Sequence, residues 1–169
     1  MIVYRVVHKS VTQLLTGSGN DARWCSGGRK VIYTSSSVAL ACLENVIRRS
    51  GSGFSEDFRT IFYNIPDSIP IEEVKLKNLT NNWRLQSSYY YCQLIGNKWY
   101  DSKESLVLKV PSAIIPDEYN YIIKTTSPKI NRITIKDVKP FVPDVRLENI
   151  LTSVDVEKLK KASSTQKKK

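Results

Sequence analysis

RWCSGGRKVIYTSSSVALACLENVIRR (23–49) decides the fold class, because it passes from a glycine-containing loop through a strand into a helix within 27 residues. KVIYTS (30–35) is rich in β-branched and aromatic side chains and follows the Gly27-Gly28 turn, which is the signature of a strand. Ser36 or Ser37 can cap the helix that follows, and that helix runs to about Arg49 before Ser50-Gly51 stops it. At about 100° per residue, Leu40, Leu43 and Ile47 share one helix face, and Val38, Ala39, Ala41, Cys42 and Val46 cover most of the rest. Glu44 projects beside Leu40 and Ile47, so it is expected to be at least partly buried. A buried carboxylate costs several kcal/mol unless a cation or a hydrogen-bond donor meets it. Arg48, four residues on, could supply an ordinary structural ion pair.

Outward from this unit the pattern is mostly β. IVYRVV (2–7) alternates and is β-branched, giving a first strand; Thr12 to Leu15 suggests a helical turn, and GSGND (17–21) a loop. RTIFYNI (59–65) is a further strand, bounded by Pro66 and Pro70, and a weakly ordered stretch follows in which NLTNNW (78–83) reads as a turn. YYYCQLIGNKWYDS (89–102) starts as a helix and is expected to break at Gly96-Asn97. SLVLKVPSAII (105–115) is an apolar strand ended by Pro111 or Pro116. NYIIKT (120–125) and ITIKDVKPF (133–141) read as a final hairpin or sheet pair, and VRLENIL (145–151) as a short helix. Five or six strands with one firm helix argue a single α+β domain over 1–152, followed by a lysine-rich tail at 153–169 that is too polar to order itself.

The chain of 169 residues carries a net charge of +10. Residues 151–169 hold six lysines against Asp155 and Glu157 and account for +4; the body contributes +6, which suits a phosphate-rich substrate. No apolar run approaches the roughly 20 residues of a membrane helix, so a cytoplasmic protein is expected. Three cysteines (Cys25, Cys42 and Cys92) with no CxxC spacing, together with the single His8, disfavour disulfides and a structural metal site.

Other residues carry chemistry only in combination. Arg23 lies in a glycine-rich loop able to cradle a phosphate through its planar guanidinium, although for this motif alone a plain turn with a surface arginine is the better explanation. Tyr33 stands where strand gives way to helix, a place that also suits simple packing. Ser112 in VPSA has no GxSxG context, and with one histidine in the chain a Ser-His-Asp triad is improbable.

Taken together, RWCSGGRKVIYTS (23–35), ALACLE (39–44) and VPSA (110–113) resemble the RES domain, a family of bacterial toxins named for its Arg, Glu and Ser. YRVVHK (4–9), GNKWY (96–100), EYNYIIKT (118–125) and VPDVRLENIL (142–151) extend the resemblance over nearly the whole chain except the tail. Cys25 departs from the family pattern, which commonly has Asn there. The resemblance implies an ADP-ribosyltransferase-like core of mainly antiparallel strands with a few helices. It implies NAD⁺ as substrate, with phosphorolysis to nicotinamide and ADP-ribose-1″-phosphate or, alternatively, mono-ADP-ribosylation of a protein target. Carried over residue by residue, the catalytic set is Arg23, Tyr33, Glu44 and Ser112, with Arg5, Arg23 and Tyr33 binding NAD⁺; Arg29 falls at a variable position and receives no role. No cofactor or metal is implied, inorganic phosphate being a co-substrate. The implied partner is a helix-turn-helix, Xre-type antitoxin, and a homodimer is admissible. Direct nucleic-acid binding, suggested by charge alone, is disfavoured because Tyr89, Tyr90 and Tyr91 have only Arg84 nearby.

Overall fold

The computed structural model describes residues 1–12, 15–50, 53–149 and 151. Among the described residues, seven strands form one sheet: β1 (Ile2–His8), β2 (Val31–Ser35), β3 (Phe58–Asn64), β4 (Ile71–Glu73), β5 (Val107–Pro111), β6 (Tyr119–Lys124) and β7 (Thr134–Pro140), in the order β4-β5-β6-β2-β1-β3-β7. Every neighbouring pair is antiparallel except β4 and β5. Helices α1 (Val38–Arg48) and α2 (Tyr89–Ser102) accompany the sheet. The α+β class read from the sequence is the class observed.

The sheet has a weak seam. β1 is paired with β3 along its whole length, and β2 likewise with β6, but β1 and β2 meet at one pair only, Tyr4 opposite Ser35. Two half-sheets, β4-β5-β6-β2 and β1-β3-β7, therefore join at that point. Helix α1 spans the junction: it follows β2 directly, packs Ala41 against Val6 and Phe58, and donates from the buried Asn45 Nδ2 to the Val6 carbonyl at 2.7 Å.

Strand alternation sorts the core into two faces. Val31, Leu108, Val110 and Ile122 face α2, where they bury Trp99 and Cys92. Val3, Val7, Ile32, Ile61 and Ile123 face the other way and are covered by Ile65, Ile69 and Ile133 from the connecting segments. Cys25, Cys42 and Cys92 are buried free thiols. No helix among the described residues is long and apolar enough to cross a membrane.

Several sequence expectations need correcting. Helix α2 does not break at Gly96-Asn97 but runs unbroken to Ser102. Gly96 is instead a contact point: a Cβ built there would lie 1.7 Å from the Trp24 carbonyl oxygen, so the missing side chain lets the helix seat on the 23–28 loop. Asn97 serves the same contact, accepting from the Ser26 N–H and donating to Ser26 Oγ. Strands β6 and β7 are not a hairpin or sheet pair; β6 lies between β2 and β5, while β7 pairs with β3 at the far edge. The 71–73 segment, read as part of a weakly ordered stretch, is the parallel edge strand β4. Helix α1 is capped by Ser37, whose Oγ accepts from the Leu40 N–H at 3.1 Å, but it buries Leu40, Ala41, Cys42 and Asn45, leaving Leu43 and Ile47 exposed. The first 3-10 turn is Lys9–Val11, ahead of the helical turn expected at 12–15, of which residues 13 and 14 lie outside the described residues. Residues 145–149 are helical as expected, and the tail at 153–169 lies outside the described residues.

Candidate active site

Pairing register brings together residues far apart in the chain. Asn120 lies opposite Ser35 on β2 and opposite Val110 on β5, one residue before Pro111. Immediately after β5, the Ser112 N–H donates to the Glu118 carbonyl at 2.9 Å, closing the turn into β6. Glu44 comes down onto this corner from α1.

The Glu44 carboxylate is met by neutral donors. Ser112 Oγ donates to Glu44 Oε1 at 2.9 Å, and Asn120 Nδ2 donates to the same oxygen at 2.5 Å. The donors are themselves fixed. Ser112, fully buried, accepts on Oγ from the Ile114 and Ile115 N–H groups at 3.0 and 3.1 Å. Asn120 Oδ1 accepts from Ser35 Oγ at 2.8 Å. Glu118 Oε2 accepts from the Ser36 and Ser37 hydroxyls beside it. The ion pair with Arg48 allowed by the i+4 spacing does not form; among the described residues no cation lies within ion-pair distance of Glu44. Its negative charge is held in place without being neutralised.

Tyr33 shares the Ser35 face of β2, two residues away, which is roughly 7 Å along the strand. Its ring is half-buried against the cluster under α2. Its hydroxyl is buried against the Cys25 thiol and the backbone at Trp24 and Cys25, yet no hydrogen bond of good geometry forms. Burial pushes the Tyr33 hydroxyl well above the usual tyrosine range, and burial likewise raises the Cys25 thiol to about 11. Both groups are therefore neutral at physiological pH.

Neither of the two arginines carried over from the sequence forms an ion pair with Glu44. Arg23 Nη1 donates to the Trp83 and Leu85 carbonyls at 2.7 and 3.2 Å, and Nη2 to the Arg84 carbonyl at 2.8 Å, while the guanidinium stacks 4.4 Å from the Tyr89 ring centroid. Three of its five donors thus organise the turn before α2, leaving two unassigned. Arg23→Lys replaces this planar fork with a point charge. The substitution is expected to lower stability by about 1–2 kcal/mol and to reduce turnover, as read by a denaturant midpoint and an initial rate; wild-type values in both would remove Arg23 from any special role. Arg5, on β1, lies near enough to the Tyr63 hydroxyl and to Arg48 at the end of α1 for their electrostatics to interact. Arg29, given no role from the sequence, is engaged structurally with Asp101 Oδ2 at 2.7 Å and Ser26 Oγ at 2.7 Å.

The folded chain thus brings Glu44 and Ser112 into direct contact and sets Tyr33 two residues from Ser35 on β2, whereas neither Arg23 nor Arg5 is within ion-pair distance of Glu44. Sequence reasoning missed Asn120 and Ser35, because nothing in NYIIKT or VIYTS distinguishes them until the strands are paired. Among the described residues no cluster of three or more His, Cys, Asp or Glu side chains is placed to hold a metal ion.

The RES domain model matches residues 2–148, which is almost all of the described chain. The chain belongs to the RES domain family. Curated relatives support the assignment at moderate identity. A protein named Toxin Res from Yersinia enterocolitica is 31% identical over 88% of this chain and all of its own length. A second Toxin Res, from Photorhabdus laumondii, is 32% identical over 73% of this chain and 81% of its own. A Sphingobium protein named Prs ADP-ribosylating toxin is 29% identical over 79% of this chain and 86% of its own. In fold, the chain is similar to one in the crystal structure of the M. tuberculosis MbcT-MbcA toxin-antitoxin complex, with a TM-score of 0.66 and 16% identity over 90% of this chain and 87% of that one. The Cys25 thiol is a weak hydrogen-bonding group, and the Tyr33 hydroxyl beside it goes without a good partner.

Proposed function

We propose that this RES protein is the toxin of a toxin–antitoxin pair and that it cleaves the nicotinamide–ribose bond of NAD⁺. The observation that carries the reading is the un-neutralised Glu44 carboxylate, held through Oε1 by Ser112 and Asn120. As the glycosidic C1″–N bond breaks, its electron pair leaves with nicotinamide and positive charge develops on the ribose. A fixed carboxylate in a partly buried site stabilises that charge. An oxygen of inorganic phosphate then bonds to C1″, giving ADP-ribose-1″-phosphate. Ser112 acts through Glu44. Tyr33 offers a flat, uncharged ring to nicotinamide, and the remaining donors of Arg23, together with Arg5, face the phosphates. The reaction needs no cofactor or metal, NAD⁺ and phosphate being substrates.

The name of the Sphingobium relative favours a second reading, in which the same site transfers ADP-ribose to a protein side chain. The partner proposed in either case is a helix-turn-helix antitoxin, in keeping with the complex in which the structural neighbour was solved, and any contact with DNA is assigned to that antitoxin. A homodimer is the assembly proposed for the free toxin, to be checked by light scattering.

The test is product analysis with purified protein and NAD⁺. Nicotinamide release that needs inorganic phosphate and yields ADP-ribose-1″-phosphate supports phosphorolysis. Phosphate-independent labelling of one acceptor protein in extract would establish the second reading instead. An intact NAD⁺ pool under both conditions would overturn both.

A further inference from the structure

Both oxygen atoms of the Glu44 carboxylate cannot be doing the same thing. Oε1 receives two hydrogen bonds, from Ser112 Oγ and from Asn120 Nδ2, whereas no described protein group donates to Oε2. The amide of Asn120 is not free to choose its orientation. Its Oδ1 takes the Ser35 hydroxyl, an interaction that turns Nδ2 toward Glu44, and the pairing of Ser35 with Asn120 across β2 and β6 fixes the backbone under both. Ser35 is also the residue at which the two half-sheets meet, opposite Tyr4.

We infer that Asn120 is a positioning residue: oriented by Ser35, it pins Glu44 Oε1 so that Oε2 alone is presented to the substrate. The inference rests on the NAD⁺-cleaving reading above. The choice of an amide has a chemical reason. A cation at position 120 would neutralise the charge that the developing ribosyl cation needs. A carboxylate there would repel Glu44 and force the pair to share a proton. An amide donates one hydrogen bond, orients the carboxylate and leaves its charge intact. Ser112 makes the matching contact from the other side, with its own hydroxyl held by two backbone N–H groups.

Kinetics of Asn120→Ala and Asn120→Asp on NAD⁺ test this. In Asn120→Ala one of two tethers is lost, so kcat is expected to fall about tenfold or more while KM for NAD⁺ changes less than twofold. In Asn120→Asp the acidic limb of the kcat profile is expected to move to higher pH, since a proton shared by two adjacent carboxylates leaves later than one on Glu44 alone; activity should return partly at alkaline pH. Ser35→Ala should reproduce a weaker form of the Asn120→Ala defect, because the amide can then turn. A merely structural Asn120 would lower the melting temperature of these variants and leave kcat and the pH profile per folded molecule as in the wild type, and that outcome would overturn the inference. Wild-type protein that fails to consume NAD⁺ would instead defeat the underlying functional reading, so the two failures are distinguishable.

Discussion

Glu44→Gln is expected to give a folded protein whose rate of NAD⁺ consumption has dropped on the order of 10²–10³. The substitution keeps volume and shape, and Gln retains a carbonyl oxygen able to accept from both Ser112 Oγ and Asn120 Nδ2, as Oε1 does now. The corner between α1, β5 and β6 should therefore hold together, and a thermal melt should move little. In the proposed mechanism, what is lost is the negative charge opposite the ribose as the C1″–N bond breaks. If Glu44 were only a packing feature the isosteric change would be nearly silent, because it makes no ion pair that would be broken. Measured side by side, an unchanged melting curve with a collapsed rate supports the catalytic role. A folded variant that still empties the NAD⁺ pool at wild-type speed would sink the mechanism.

Gly96→Ala should have the largest effect on stability. Alanine suits a helix interior, and in isolation the change would add about 0.5–1 kcal/mol of stability. The surroundings reverse the sign. The new Cβ would sit 1.7 Å from the Trp24 carbonyl oxygen and 2.7 Å from the carbonyl carbon, both backbone atoms that cannot rotate away. Helix α2 or the 23–28 loop must shift, disturbing the Trp24–Trp83 contact, Arg23 and the Cys25–Tyr33 pair together. A loss of about 3 kcal/mol, at the upper end of the cost of overpacking, is the expected outcome of chemical denaturation. A gain in stability would show that the helix and the loop can separate without cost.

The strand-to-helix unit at 31–48 was legible because local chemistry determines it: β-branched residues, then a serine cap, then apolar residues at helical spacing. Family motifs made Glu44 and Ser112 legible, and these are the two predicted site residues found in direct contact. Tertiary contacts decided what was misread. Gly96 looked like a breaker because a helix glycine is costly in solution, but it is required where backbone meets backbone. Leu43 and Ile47 looked like a core stripe, yet α1 covers only one strip of the sheet at the seam and turns Asn45 inward to meet a strand carbonyl. Strand partners were beyond reach for β6 and β7, since alternation reports which side faces the core and not which neighbour lies beside it. Asn120 was hidden for the same reason.

The late arrival of the strands that complete the Glu44 corner has a consequence in time. Glu44 is translated 68 residues before Ser112 and 76 before Asn120. At the usual synthesis rate of about 5–20 residues per second, its tethers follow it by roughly 3–15 s. A growing chain thus carries Glu44 through the synthesis of 68 to 76 further residues without its tethers, and the corner is assembled only once β5 and β6 have emerged.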